Sequence, residues 1–81
     1  MTMYSVYIIN SISTGKYYIG YTSDLQDRLR RHNSGMNKST KFGSPWKLVH
    51  EEFFDEKKDA WLRERQIKSY KGGEAFKKLI S

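Results

Sequence analysis

Two apolar stretches near the start of the chain, separated by a polar segment, predict two β-strands. Residues 4–9 read YSVYII and residues 16–21 read KYYIGY, and both stretches are rich in the aromatic and β-branched side chains that suit a pleated strand. The polar segment between them ends at Gly15, which can adopt a positive φ. The pattern therefore predicts an antiparallel hairpin. Gly20 interrupts the second strand, as is typical where another backbone or a ligand must come close.

The next apolar residues change to a helical spacing. Leu25 and Leu29 lie four residues apart and would form the buried stripe of a helix. Ser23, with a glutamine three residues later, matches a capping box, so the helix should start at Asp24. Gly35 should follow its last turn, because glycine readily takes the left-handed conformation of a helix C-terminus.

Two side chains that could take part in binding or catalysis lie beside this leucine stripe. At ~100° per residue, Arg28 and His32 fall next to the leucines, whereas the other charged residues of the helix point to water. A cation and an imidazole would thus be held at the rim of a core, next to a strand that carries Tyr18. The arrangement is typical of a functional site, although some amphipathic helices share it.

The rest of the chain predicts a loop, a strand and two helices. Residues 36–45 are polar and end in a proline, which often stands at the start of a strand, here residues 46–54. Asp55 is the expected N-cap of a long helix over residues 56–70. Two glycines then break this helix, and residues 74–80 form a short apolar final helix.

Glu64 interrupts the apolar stripe of the long helix. Ala60 and Ile67 lie four residues before it and three residues after it, on the face that should contact the sheet. Burial of a lone carboxylate is costly unless it is paired or binds a metal. Glu64 is therefore the most informative acidic residue, and a salt bridge to Arg28 or to Lys68 is the structural alternative.

Composition indicates a class of partner and argues against disulfides, cysteine-bound zinc and a membrane span. The 81 residues contain no cysteine, so they predict one small domain without disulfides or cysteine-bound zinc. The formal net charge of +6 favours polyanions through counterion release, which makes nucleic acid the expected partner. Arg31, Lys38 and Lys41 are candidate phosphate contacts, and the alternative for the two loop lysines is a solvated connection. No apolar run approaches the roughly 18 residues of a membrane span and no signal peptide is evident, so we expect a cytoplasmic protein.

Several motifs, taken in order, resemble the GIY-YIG nuclease superfamily. They are Val6-Tyr7-Ile8, Tyr18-Ile19-Gly20, Arg28-x-x-x-His32, Lys38-Ser39-Thr40-Lys41, Pro45-Trp46-Lys47-Leu48-Val49 and Ala60-x-x-x-Glu64. The chain is most similar to small stand-alone members, related to the endonuclease subunit that cuts branched DNA. The resemblance implies one nuclease-like domain over residues 1–81, with an α/β (α+β sandwich) fold in which helices flank a small, three-stranded, mainly antiparallel sheet.

The same resemblance implies roles for five side chains. Glu64 would hold a divalent cation, most simply magnesium, which accepts one carboxylate together with waters and phosphate oxygens. Arg28 would pair with phosphate oxygens through its planar fork. Family mechanisms favour the tyrosine of the first motif, here Tyr7, as the base; Tyr18 would orient the water or a phosphate, and His32 would relay a proton. The sequence leaves the division between the two tyrosines open.

The expected function is a metal-dependent endonuclease that hydrolyses phosphodiester bonds in DNA, with branched or flapped DNA among its candidate substrates. Two alternatives stay open. One is a nucleic-acid-binding module with little intrinsic catalysis, and the other is an accessory subunit that needs a protein partner. Retention of Glu64 favours the enzyme, because a carboxylate beside a phosphate site is repulsive without a metal.

Overall fold

The computed structural model describes residues 3–35 and 40–81, which form an antiparallel sheet flanked by helices. Its strands are β1 (Tyr4–Ser11), β2 (Tyr17–Thr22) and β3 (Trp46–Phe54). The strand order is β2-β1-β3, so β1 is central and β2 has a free edge. Both pairings are antiparallel. The predicted hairpin and the predicted α+β fold with a three-stranded sheet are therefore confirmed.

Three helices cover the sheet: α1 (Leu25–Ser34), α2 (Lys57–Ser69) and α3 (Glu74–Ile80). The leucine stripe of α1 packs on one face, while α2 and α3 pack on the other. No helix within residues 3–35 and 40–81 has both the length and the apolar character needed to cross a bilayer.

The N-caps of α1 and α2 each lie one residue after the predicted position. Asp24, and not Ser23, is the N-cap of α1, since its carboxylate accepts a hydrogen bond from the Asp27 backbone N–H at 3.1 Å. Gly35 ends α1 in the left-handed conformation, as predicted. The prediction for α2 was wrong, because Glu56 occupies the cap position in place of Asp55 and makes no side-chain capping bond.

The central strand supplies the core on both faces of the sheet. Because side chains alternate along a strand, Val6 and Ile8 point to one face, and Tyr7 and Ile9 to the other. The first pair packs with buried residues of α2 and α3, namely Ala60, Ile67 and Phe76. The second pair packs with Trp46 and with three partly buried leucines, Leu25, Leu29 and Leu48. Tyr7 is therefore a core residue that carries a polar group into the α1 face.

Candidate functional site

A polar cleft of about 530 Å³ lies along the free edge of β2. Four of the five side chains singled out from the sequence line it: Tyr7, Tyr18, Arg28 and Glu64. They come from β1, β2, α1 and α2, so the cleft draws on both faces of the sheet. This is where the fold brings the scattered motifs together.

His32 lies behind the cleft wall and contacts it through Tyr7. Both residues are almost fully buried, with exposed fractions of 0% and 1%. The Tyr7 hydroxyl and His32 Nε2 are hydrogen-bonded at 2.9 Å, and His32 Nδ1 is hydrogen-bonded to Thr40 Oγ1 at 2.7 Å. The Tyr18 ring adds a packing contact, with its centroid 4.8 Å from that of the imidazole. A buried chain of three polar groups therefore leads away from the cleft.

Burial moves the pKa values of Tyr7 and His32 in opposite directions. Desolvation raises the pKa of the Tyr7 phenol well above its usual range; Tyr18 and Glu64 also raise it, and Arg28 lowers it. Desolvation lowers the pKa of His32, and the positive charge of Arg28 lowers it further. Both groups are consequently neutral at pH 7, so one imidazole nitrogen donates a hydrogen bond and the other accepts one.

The Tyr7 side chain occupies the space that a side chain at Gly20 would take. Gly20 is the register partner of Tyr7 across the β1–β2 ladder. A Cβ atom at Gly20 would lie 2.6 Å from the Tyr7 hydroxyl oxygen and 2.8 Å from Cζ of the same ring. The sequence predicted a close approach of a backbone or a ligand at Gly20, and the structure has an aromatic ring there.

Glu64 combines a place in the cleft with an ion pair. Its side chain is 13% exposed, and Oε1 lies 3.1 Å from Nζ of Lys68 on the next turn of α2. Of the two salt bridges considered from the sequence, the one to Lys68 is therefore formed. Arg28 lines the same cleft without replacing Lys68 as the ion-pair partner.

A single carboxylate in a polar cleft is compatible with magnesium but not with a metal cage made of protein alone. Within the described ranges, no cluster of three or more histidine, aspartate or glutamate side chains could hold a metal. Magnesium commonly takes one or two carboxylates and completes its coordination with waters and substrate phosphates. Glu64 fits that requirement, and a bound cation would compete with Lys68 for its carboxylate.

Comparison with known proteins assigns the family. The sequence profile of the GIY-YIG catalytic domain matches residues 3–77. The chain belongs to the GIY-YIG family. It is 46% identical over 67 residues to a UPF0213 protein of Halobacterium salinarum, across 82% of this chain and 86% of the relative. It is 38% identical to a UPF0213 protein of Staphylococcus saprophyticus, across 100% of this chain and 98% of the relative.

A solved structure agrees with this assignment. The GIY-YIG domain described here is similar to the solution NMR structure of a UPF0213 protein from Bacillus halodurans, with a TM-score of 0.51 and 34% sequence identity. The similarity covers 83% of this chain and 71% of the other. The predicted family is thereby confirmed, and with it membership of a nuclease superfamily that acts on nucleic acid.

The predicted phosphate contacts of the GIY-YIG domain lie away from the cleft or outside the described residues. Arg31 is exposed and pairs with Asp27, at 2.9 Å between Nε and Oδ2. Lys41 is exposed and lies over the ring of its neighbour Phe42, 5.4 Å from the centroid. Neither lines the cleft. Lys38 falls outside the described residues.

Two residues of the site were not singled out from the sequence. Thr40 hydrogen-bonds His32, and Lys57 at the start of α2 lines the cleft. Thr40 belongs to the segment Lys38-Ser39-Thr40-Lys41, which also resembles the family, so a signal for it was present. Lys57 stands among other charged residues, and nothing in the local pattern distinguishes it from a solvated lysine.

Proposed function

We propose that this protein is a metal-dependent endonuclease that hydrolyses phosphodiester bonds in DNA, with branched or flapped DNA as its substrate. The observation that carries the proposal is the convergence of Tyr7, Tyr18, Arg28 and Glu64 on one polar cleft. Family membership supports the same chemistry. A cleft that offers a cation, a carboxylate and two phenols has the groups that phosphodiester hydrolysis requires.

Arg28 and Glu64 divide the handling of charge in this proposal. The Arg28 guanidinium binds two oxygens of the scissile phosphate, because its planar fork matches their spacing. Glu64 would hold a magnesium ion, which would supply Lewis-acid polarisation of the phosphate and charge stabilisation for the leaving oxygen.

Tyr7 and His32 form the path for the proton of the attacking water. The water gives a proton to the Tyr7 oxygen while the phenol proton passes to His32 Nε2, across the 2.9 Å hydrogen bond. Neutral His32 can accept at Nε2 when its Nδ1–H donates to Thr40 Oγ1. Thr40 is therefore a positioning residue that selects the tautomer, and Tyr18 orients the water.

The test compares two glutamate variants on DNA. Labelled linear and branched substrates are incubated with magnesium or with EDTA, using the natural protein, Glu64→Gln and Glu74→Gln. Glu74 is an exposed residue in the first turn of α3, so its variant controls for the loss of one negative charge. We expect cleavage that needs magnesium, is lost in Glu64→Gln and is kept in Glu74→Gln. Equal cleavage by both variants would remove Glu64 from the site.

The ion pair between Glu64 and Lys68 favours a second candidate, a nucleic-acid-binding module or an accessory subunit with little catalysis. A paired carboxylate no longer repels a phosphate, so the retained Glu64 is compatible with binding alone. In that case DNA would bind with a steep dependence on salt, and magnesium would produce no cleavage unless a partner protein is added. Cleavage by the isolated, highly purified chain would exclude this candidate.

A further inference from the structure

A second groove continues from the cleft along α2. Its volume is about 420 Å³, and it is lined by Tyr21, Lys57, Lys58 and Trp61. Tyr21 and Lys57 also line the cleft, so the two spaces adjoin. We propose that this groove binds the nucleotide next to the cleaved phosphate as an unpaired base stacked on Trp61. The inference rests on the proposed nuclease function and specifies which part of the DNA must be single-stranded.

Trp61 is arranged as a stacking platform. Its side chain is 40% exposed although it is one of the largest apolar groups in the chain. The Arg65 guanidinium carbon lies 4.9 Å from its ring centroid, a cation–π contact that supports the ring. Aromatic rings supported in this way bind bases without regard to sequence, because every base has a π-face.

The charge around Trp61 matches a phosphate backbone. On a helical projection, four of the five cations of α2 share a sector of about 100° with Trp61. Arg63 and Asp59 both lie about 160° from Trp61, and Glu64 borders the sector about 60° from Trp61, where it pairs with Lys68. The members of this sector are Lys57, Lys58, Trp61, Arg65 and Lys68. They extend ~16 Å along the helix at ~1.5 Å per residue. The stripe therefore continues the cleft as a basic track with an aromatic ring in it.

The geometry favours an unpaired base over a duplex. A base exposes its π-face to a protein side chain only after it leaves the stack, and this costs least where the base is already unpaired. The groove has a tyrosine and a tryptophan in its lining, and its volume falls in the range of about 300–1,000 Å³ typical of small-ligand pockets. Flaps and branch points supply an unpaired nucleotide next to a scissile bond, whereas blunt linear duplex does not.

The test measures binding in EDTA, so that cleavage does not interfere. A labelled single-stranded oligodeoxynucleotide and the blunt duplex of the same sequence are each titrated with protein, and fluorescence anisotropy gives the two dissociation constants. The proteins compared are the natural protein, Trp61→Ala, Trp61→Phe and Leu62→Ala. Leu62 is the matched control, because it is the next residue on α2, is 47% exposed and does not line the groove. We expect Trp61→Ala to weaken single-strand binding about ten-fold, as expected for the loss of one stacked base. Duplex binding should change little, and the other two variants should stay within about two-fold of the natural protein on both substrates.

A second measurement does not depend on the folding of Trp61→Ala. The single strand should quench the fluorescence of the natural protein but not that of Trp61→Phe, whose remaining tryptophan, Trp46, is buried. An unchanged single-strand affinity of folded Trp61→Ala, an equal loss on both substrates, or equal quenching in the natural protein and in Trp61→Phe would overturn the inference. If cleavage that depends on Glu64 persists in that case, the proposed nuclease function stands without the groove. Conversely, the protein could prefer single strands through Trp61 and yet never cleave DNA. That result would support the stacked base and reject the proposed nuclease function.

Discussion

Replacement of Gly20 by alanine tests the packing on which the site depends. The new Cβ would lie 2.6 Å from the Tyr7 hydroxyl oxygen and 2.8 Å from Cζ, and 3.2 Å from Cε1 of Tyr18. Carbon–oxygen contacts of ~3.4 Å or more are ordinary, so the Tyr7 oxygen would have to move by roughly 0.8 Å. Tyr7 is almost fully buried, and its 2.9 Å hydrogen bond to His32 would be strained or broken by such a shift.

The cost can be worked out from the structure. Overpacking a core position costs about 1–3 kcal/mol, and loss of a net hydrogen bond adds about 0.5–1.5 kcal/mol. Gly20 does not have a positive φ, so alanine is compatible with its backbone and recovers about 0.5–1 kcal/mol of strand propensity. We therefore expect Gly20→Ala to lower the free energy of unfolding by about 0.5–4 kcal/mol, and the cleavage rate to fall by about 10²-fold because Tyr7 is misplaced.

A double-mutant cycle provides the assay. Urea denaturation gives the free energy of unfolding for the natural protein, Gly20→Ala, Tyr7→Phe and the double variant. Tyr7→Phe removes the nearest atom, so Gly20→Ala should cost less in that background, with a coupling energy of at least about 0.5 kcal/mol. Additive effects, or a Gly20→Ala protein as stable and as active as the natural one, would refute the steric argument.

Three further outcomes follow from the ion pair, the buried imidazole and the cleft cation. Lys68→Met should halve the magnesium concentration needed for half-maximal cleavage, because an i,i+4 pair is worth about 0.3–0.5 kcal/mol; an unchanged or higher magnesium requirement in a titration would contradict this. Because the pKa of His32 is lowered in the folded state, the unfolded chain binds more protons below its own pKa of about 6.5, and the free energy of unfolding should fall as the pH drops from 7 to 5. Urea midpoints should show this fall for the natural protein and a flatter dependence for His32→Gln; parallel pH curves would contradict the assignment. Arg28→Ala should slow cleavage by about 10²–10³-fold with a stability change under ~1 kcal/mol, and unfolding of that variant would indicate a structural role in place of a catalytic one.

The strands and helices could be predicted from the sequence because their apolar periods differ and are locally consistent. The caps were less accurate. Ser23 and Asp24 are both good capping residues, and the choice depends on the turn after β2, where the Asp24 backbone N–H donates to Thr22 Oγ1 at 3.1 Å. That turn is a matter of backbone dihedral angles, which a capping pattern does not encode.

In the candidate site too, contacts within one helix could be predicted from the sequence, whereas contacts between elements depended on the tertiary fold. The pairing of Glu64 with Lys68 follows from helix geometry alone, because residues four apart are neighbours on one face. The choice between Lys68 and Arg28 needed the placement of α1 against α2, which is not encoded in a local pattern. Likewise, a shared side of the sheet for Tyr7 and Tyr18 required the register, in which Ile9 is the partner of Tyr18.

Burial of Tyr7 constrains how a base at this position can work. An ordinary phenol costs ~4 kcal/mol to ionise at pH 7, and the raised pKa of Tyr7 makes a discrete phenolate costlier still. If the water proton arrives as the phenol proton leaves for His32 Nε2, no phenolate forms, and the net transfer is from water to imidazole. The buried hydrogen bond then serves the reaction directly, because it fixes the direction in which the phenol proton departs. The raised pKa of Tyr7 therefore favours a concerted transfer over a preformed phenolate, with the nearby positive charge of Arg28 limiting the penalty on Tyr7. The lowered pKa of His32 acts against the transfer, because it disfavours the imidazolium, so the proton should stay on His32 only briefly.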